Sequence, residues 1–168
     1  PTDPTDPTDP TDPTDPTDPT DPTDPTGTTG CTPVSEQPNV SWTADAPWAT
    51  GGSQHKVTIG RNETKVTKFL TTSNPDYEGT ISLAAGVGTE LVKRKMWISN
   101  CPNGEPLFHE RCTVFGTTSI NLRWSQGPWE QNRCRLRPDR RYYINTKNVD
   151  CQGTSCTVFR NFYNNQKP

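Results

Sequence analysis

The stretch TSINLRWS, residues 118–125, alternates without a break. Ile120, Leu122 and Trp124 fall on one side, and Ser119, Asn121, Arg123 and Ser125 on the other. A period of two is the mark of a strand half-buried against a core, because successive side chains of an extended chain point to opposite faces. The same character recurs in HKVTIG (55–60), KVTKFL (65–70), GTISLA (79–84), LVKRKMWIS (91–99), RRYYINTK (140–147) and SCTVFRNFY (155–163). These runs are rich in β-branched and aromatic residues and are separated by turn-forming Gly, Asn, Pro and Asp. No segment sustains a helical period. The pattern predicts an all-β protein, an antiparallel β-sandwich of roughly seven to ten short strands. Trp42, Trp97 and Trp124 lie in strand patterns and are assigned to its core.

LVKRKMWIS carries bases on both faces: Val92, Arg94, Met96 and Ile98 share one side, and Leu91, Lys93, Lys95, Trp97 and Ser99 the other. An edge strand accounts for this, since edge positions let long basic side chains reach water and discourage pairing with other chains. No stretch is long and apolar enough to span a membrane.

Residues 1–26 are different in kind. Pro recurs at every third position from Pro1 to Pro25, which fixes φ and removes a third of the backbone donors, excluding helix interiors and sheet ladders. Polyproline II remains. It has three residues per turn and rises about 3.1 Å per residue, so the 26 residues extend to roughly 80 Å. Because the repeat is also three, Pro, Thr and Asp each occupy one edge, and eight like charges, Asp3 to Asp24, resist collapse. The segment reads as a stiff stalk. Its threonines (Thr2, Thr5, Thr8, Thr11, Thr14, Thr17, Thr20, Thr23 and Thr26) are exposed hydroxyls in a Thr/Pro-biased tract, a composition often O-glycosylated in secreted proteins; a bare linker is the alternative. A chain that starts in mid-repeat without Met is expected to be a piece of a longer or processed polypeptide.

Subtracting the stalk divides the molecule into domains 1–26 and 27–168 and changes the charge reading. The net charge of −2 comprises 17 bases and 19 acids; eight of those acids lie in the stalk, leaving 17 bases against 11 acids in the head. From Lys93 onward bases outnumber acids 13 to five. All apolar residues, 27% of the chain, are in the head, which makes a lean core in need of cross-links. The six cysteines meet that need and point to an oxidising compartment, outside the cell or in the periplasm, and the protein is read as extracellular or cell-surface. Short loops favour Cys101–Cys112 and Cys151–Cys156, leaving Cys31 to reach Cys134 and tie the stalk to the centre of the head. A zinc site is the rival reading, but the spacing lacks the close cysteine pairs of tetrahedral thiolate centres. No metal and no cofactor is expected.

Catalytic signatures are missing. His55 and His109 are far apart, and the chain has no H-E-x-x-H, G-x-S-x-G or phosphate-binding Gly loop. The head is therefore read as non-catalytic, and binding is better supported. Trp48 in DAPWATGG and Trp129 in SQGPWEQNR sit in loop-like segments, placed either to stack on a sugar face or to cap the sandwich. The run RCRLRPDRRYY offers Arg133, Arg135, Arg137, Arg140 and Arg141 with Tyr142 or Tyr143 as forks and aromatic faces for carboxylate, sulfate or phosphate. Its candidate partners are polyanions: acidic polysaccharide, lipopolysaccharide phosphates or extracellular nucleic acid. The acidic stalk of a neighbouring copy is a further candidate, and such a head-to-tail contact would build a fibre. Two sequons, at Asn39 and Asn62, matter only in a eukaryotic secretory route.

The stalk resembles the Pro-Thr linkers of secreted bacterial polysaccharide-degrading enzymes and adhesins. The head is similar in outline to the accessory β-sandwich modules such linkers attach. ISNCP, FHERC, CRLRPDRRYYINTKNVDC and TSC, over residues 97–156, are also similar to segments of secreted bacterial proteins in which a Cys-x-Leu turn precedes a YY strand. The resemblance implies an extracellular carbohydrate-binding or adhesion module on a stalk. Alternatives are a fibre subunit assembled through the repeat and an accessory part of a secreted hydrolase.

Overall fold

The structure, a computed structural model, describes residues 30–43, 53–85, 92–108, 110–127 and 131–166, with the backbone alone for 53–55 and 162–166. The repeat with its threonines, Trp48 and Trp129 lie outside the described residues.

Alternation becomes strand where the sequence carries it. After a short 3-10 turn (Val34–Glu36) come β1 (Val40–Trp42), β2 (Ser53–Gly60), β3 (Thr64–Leu70), β4 (Tyr77–Ala85) and β5 (Arg94–Ser99). They are followed by β6 (Thr113–Gly116), β7 (Ser119–Ser125), β8 (Cys134–Arg135), β9 (Arg141–Asn148) and β10 (Ser155–Gln166). Two five-stranded sheets result, ordered β1-β3-β9-β5-β6 and β2-β10-β4-β7-β8. Both are mixed rather than purely antiparallel, because β1 pairs with β3, and β8 with β7, in parallel. These two short edge strands arrive by long connections instead of hairpins, which frees them to run either way.

The sheets face each other across one core. Ile120, Leu122 and Trp124 of β7 are buried in it, with Ile81, Leu83 and Val158 from the same sheet and Phe69, Met96, Ile98, Tyr142 and Ile144 from the other. Phe69 joins the layers: its ring centroid lies 6.1 Å from that of Trp124 and 5.7 Å from that of Tyr142.

Three expectations are overturned here. First, β5 is an interior strand between β9 and β6, and Arg94 points into the sandwich with no exposed surface. Its guanidinium donates to the Thr117 carbonyl, which gives a buried charge a partner inside the protein rather than in water. Second, Trp42 is not core; it is 51% exposed, because β1 is an edge strand that turns this indole to the outer face. Third, the disulfides are Cys31–Cys101, Cys112–Cys134 and Cys151–Cys156, so neither Cys31–Cys134 nor Cys101–Cys112 forms. Cys112 enters edge strand β6 of one sheet and Cys134 opens edge strand β8 of the other, so their bridge staples the two sheets along an open side. Cys31 instead ties the N-terminal arm to the loop after β5. Three disulfides fit an exported protein held in an oxidising compartment.

The chain crosses from one sheet to the other at Gly60–Glu63, a turn built on left-handed Asn62 (φ 62°). Glu63 holds this corner. Its carboxylate accepts from the Gly60 amide (2.6 Å) and the Ser41 hydroxyl (2.5 Å) and pairs with the Lys65 ammonium (2.6 Å). Partial burial would raise its pKa, but these donors outweigh it and hold Glu63 below its ordinary 4.5. Across the sandwich, Arg160 is buried and donates to the Thr43 hydroxyl; desolvation lowers its guanidinium to about 10.

Candidate functional site

Alternation along β9 sends Tyr142 and Ile144 into the core and so turns Arg141, Tyr143, Asn145 and Lys147 to the outer face of the first sheet. Register then fixes their neighbours on that face. Leu70 lies opposite Arg141, and Lys68 and Ser99 flank Tyr143. Val66 and Trp97 flank Asn145, with Trp42 beyond Val66. Thr64 and Lys95 flank Lys147, with Val40 and Phe115 beyond them. The face therefore alternates aromatic and cationic side chains over the roughly 20 Å between Arg141 and Lys147. Trp42, Leu70 and Phe115, three large apolar residues left exposed, stand on it.

Two segments cover the middle of this face and leave a cleft on either side. The loop after β5 is pinned by the Asn103 amide, which donates to Asn145 Oδ1 (2.7 Å), and by Trp97 Nε1, which donates to the Gly104 carbonyl (2.7 Å). The N-terminal arm is joined to that loop by Cys31–Cys101 and by Gln37, whose amide donates to the Thr32 and Pro102 carbonyls. One cleft, about 600 Å³, lies between the arm and the pair Trp42–Tyr143, and Pro33, Val34 and Pro102 line it too. The other, about 560 Å³, is bounded by Lys95, Lys147, Phe115, Trp97, Thr64 and Val149. Asn39, Asn62 and Asn103 add amides to its rim, and Glu105 is the acid that borders it. Lys95 extends its ammonium over the Trp97 ring, 4.9 Å from the centroid. Asn39 and Asn62 head the two sequons, are exposed and have left-handed backbones, so glycosylation at either would crowd this second cleft.

The arginine run anticipated as one surface is divided by the fold. Arg133 forms a two-pronged ion pair with Glu78, at 3.2 and 3.3 Å, on the second sheet. Arg135 is exposed on edge strand β8. Arg137 and Arg140 belong to the connection into β9, whose backbone is tied to Tyr142 and Thr71: the Arg137 amide donates to the Tyr142 hydroxyl and the Arg140 amide to that of Thr71. Arg141 alone of the five joins the outer face of the first sheet, beside Tyr143. Tyr143 is only 4% exposed, so it contributes a wall of the first cleft rather than an open platform. Sequence reading missed Lys95, Lys147, Phe115 and Trp42 as site residues. The signal was present in LVKRKMWIS and RRYYINTK, whose outward-facing positions pair once both strands are placed side by side.

Among the described residues no three His, Cys, Asp or Glu side chains come together as a metal-holding group, and no helix is long and apolar enough to cross a membrane. No family model and no curated protein matches the chain. Among solved structures the chain is similar to the crystal structure of Aeromonas hydrophila PliG, a periplasmic lysozyme inhibitor of g-type lysozyme. The identity is 11% and the TM-score 0.45, over 75% of this chain and 99% of that one.

Proposed function

We propose that this chain is a non-catalytic extracellular binding module whose outer sheet face holds an anionic glycan. The observation that carries the reading is the pair Lys95 and Lys147, directly opposite each other on β5 and β9, at the floor of a cleft that also holds an exposed aromatic ring and three amide side chains. Each component suits a sugar acid. Two ammoniums meet carboxylate or sulfate, Phe115 offers an apolar face to the C–H side of a ring, and the amides serve hydroxyls as donors and acceptors. The volume falls within the roughly 300–1,000 Å³ of small-ligand clefts. The disulfides suit an extracellular setting, and the lack of any catalytic signature supports binding rather than turnover.

The test is retention of the full chain on immobilised sulfated glycosaminoglycan, polyuronate, neutral dextran and duplex DNA. The expected result is retention on the first two, elution by salt, and weakened retention for Lys95→Gln/Lys147→Gln with an unchanged melting temperature. Equal retention of that variant would remove the assignment. Preference for DNA over either glycan would reassign the cleft to phosphate.

A further inference from the structure

We propose that the first cleft, between the N-terminal arm and the Trp42–Tyr143 pair, docks the Pro-Thr-Asp repeat of a second copy of this chain. Grooves walled by aromatic rings accept polyproline II segments because the proline rings are flat, pre-ordered and lose little entropy on binding. This cleft has that chemistry. The Trp42 indole, half exposed, stands tilted at 43° to Tyr143 with centroids 6.0 Å apart, and Pro33, Val34 and Pro102 supply the facing wall. Among the described residues no acidic side chain lines it.

The repeat of this same chain is the matching ligand. Its prolines share one edge of the predicted helix, one every three residues or about 9.3 Å, and its aspartates share another. A proline seated between Trp42 and Pro102 places an aspartate edge alongside the cations that border Tyr143: Lys68 directly across the strand pair and Arg141 at the next outward position of β9. Residues 1–26 hold eight acids and no base, so the charge match has one sign throughout.

The same observations choose a neighbour over the chain's own repeat. Cys31, Thr32 and Pro33, which follow the repeat within a few residues, themselves form a wall of the cleft. Four residues, Gly27 to Gly30, separate the repeat from that wall, a short tether for laying the repeat back over its own cleft, whereas a repeat of up to roughly 80 Å extends to another head. The contact is head-to-tail and leaves the pair with one free repeat at one end and one free cleft at the other, so it propagates into a filament.

Sedimentation velocity of the full chain over rising concentration at low ionic strength tests this. The expected result is concentration-dependent growth that molar salt suppresses. Trp42→Ala raises the dissociation constant roughly 30-fold, the effect of losing a central indole. Replacing the eight repeat aspartates by asparagine abolishes growth, and Arg141→Gln weakens it without touching the indole. A parent chain that sediments as a monomer throughout, as a self-docked repeat would make it, overturns the proposal. So does growth that is unchanged in Trp42→Ala and Arg141→Gln. Lys95→Gln/Lys147→Gln, the variant that tests the glycan reading, changes no residue of the first cleft and is expected to grow as the parent does, so failure here and failure of the glycan reading are told apart.

Discussion

Lys95 lays its ammonium 4.9 Å above the ring of Trp97, two residues further along the same outer row of β5. Trp97 and the neighbouring Phe115 carry different duties. Trp97 is nearly buried and its indole nitrogen anchors the loop at Gly104, while Phe115 across the strand pair stands 56% exposed. Trp97→Ala is expected to cost about 3–5 kcal/mol of unfolding free energy. Phe115→Ala is expected to stay within about 0.5 kcal/mol of the parent while glycan retention falls. Urea titration beside column retention separates the effects.

Gly116 closes β6 where no side chain fits. A Cβ there would lie 2.5 Å from Ile120 Cγ2. Gly116→Ala is expected to destabilise by about 1–3 kcal/mol through overpacking. Ile120→Leu moves the branch one carbon outward and removes that methyl, so the double variant is expected to recover part of the loss. A double-mutant cycle by chemical denaturation gives the coupling.

Glu63 makes stability depend on acid. Its folded pKa lies below the ordinary 4.5, so the unfolded chain takes up the proton first, and stability drops as pH falls from that value through the lower folded one. Above the ordinary value the contribution is complete. Glu63→Gln is expected to flatten this part of the profile and to lower stability near neutrality, measured by melting temperature from pH 7 down to pH 3.

The bridges differ in access. Cys112 and Cys134 are wholly buried, whereas Cys31 and Cys101 are half-buried at the rim of the arm. Graded reduction with mass mapping is expected to open Cys31–Cys101 before Cys112–Cys134. Removing the former by paired serine substitutions releases a 70-residue loop and is expected to cost about 4 kcal/mol on the loop-entropy account.

Much of the fold is legible because period-two alternation survives in single strands. TSINLRWS places Ile120, Leu122 and Trp124 inward as the pattern requires, and each longer predicted run corresponds to a strand. What alternation does not encode is adjacency. Arg94 among Lys93 and Lys95 reads as an edge, yet its side chain points inward and donates to a carbonyl of the β6–β7 turn, a partner distant in sequence. Trp42 reads as core because an aromatic in a strand has two faces to choose from and nothing local says which is covered. Cysteine spacing ranks loops by length, while the actual pairs follow which sheet edges meet. β1, β6 and β8, at two to four residues, are too short to show any period. The candidate face suffered most, since Lys95 and Lys147 are 52 positions apart and meet only through strand pairing.

The bridge from Cys31 to Cys101 also sets how the molecule bears load. A pull delivered from the N-terminal side passes through sulfur straight to position 101, so the seventy-residue ring behind it, with β1 through β5, is excluded from the stretched path. Force then meets the loop that roofs the sheet face before it reaches any strand ladder. Traction is thereby delivered first to the segments that border the two openings beneath that roof.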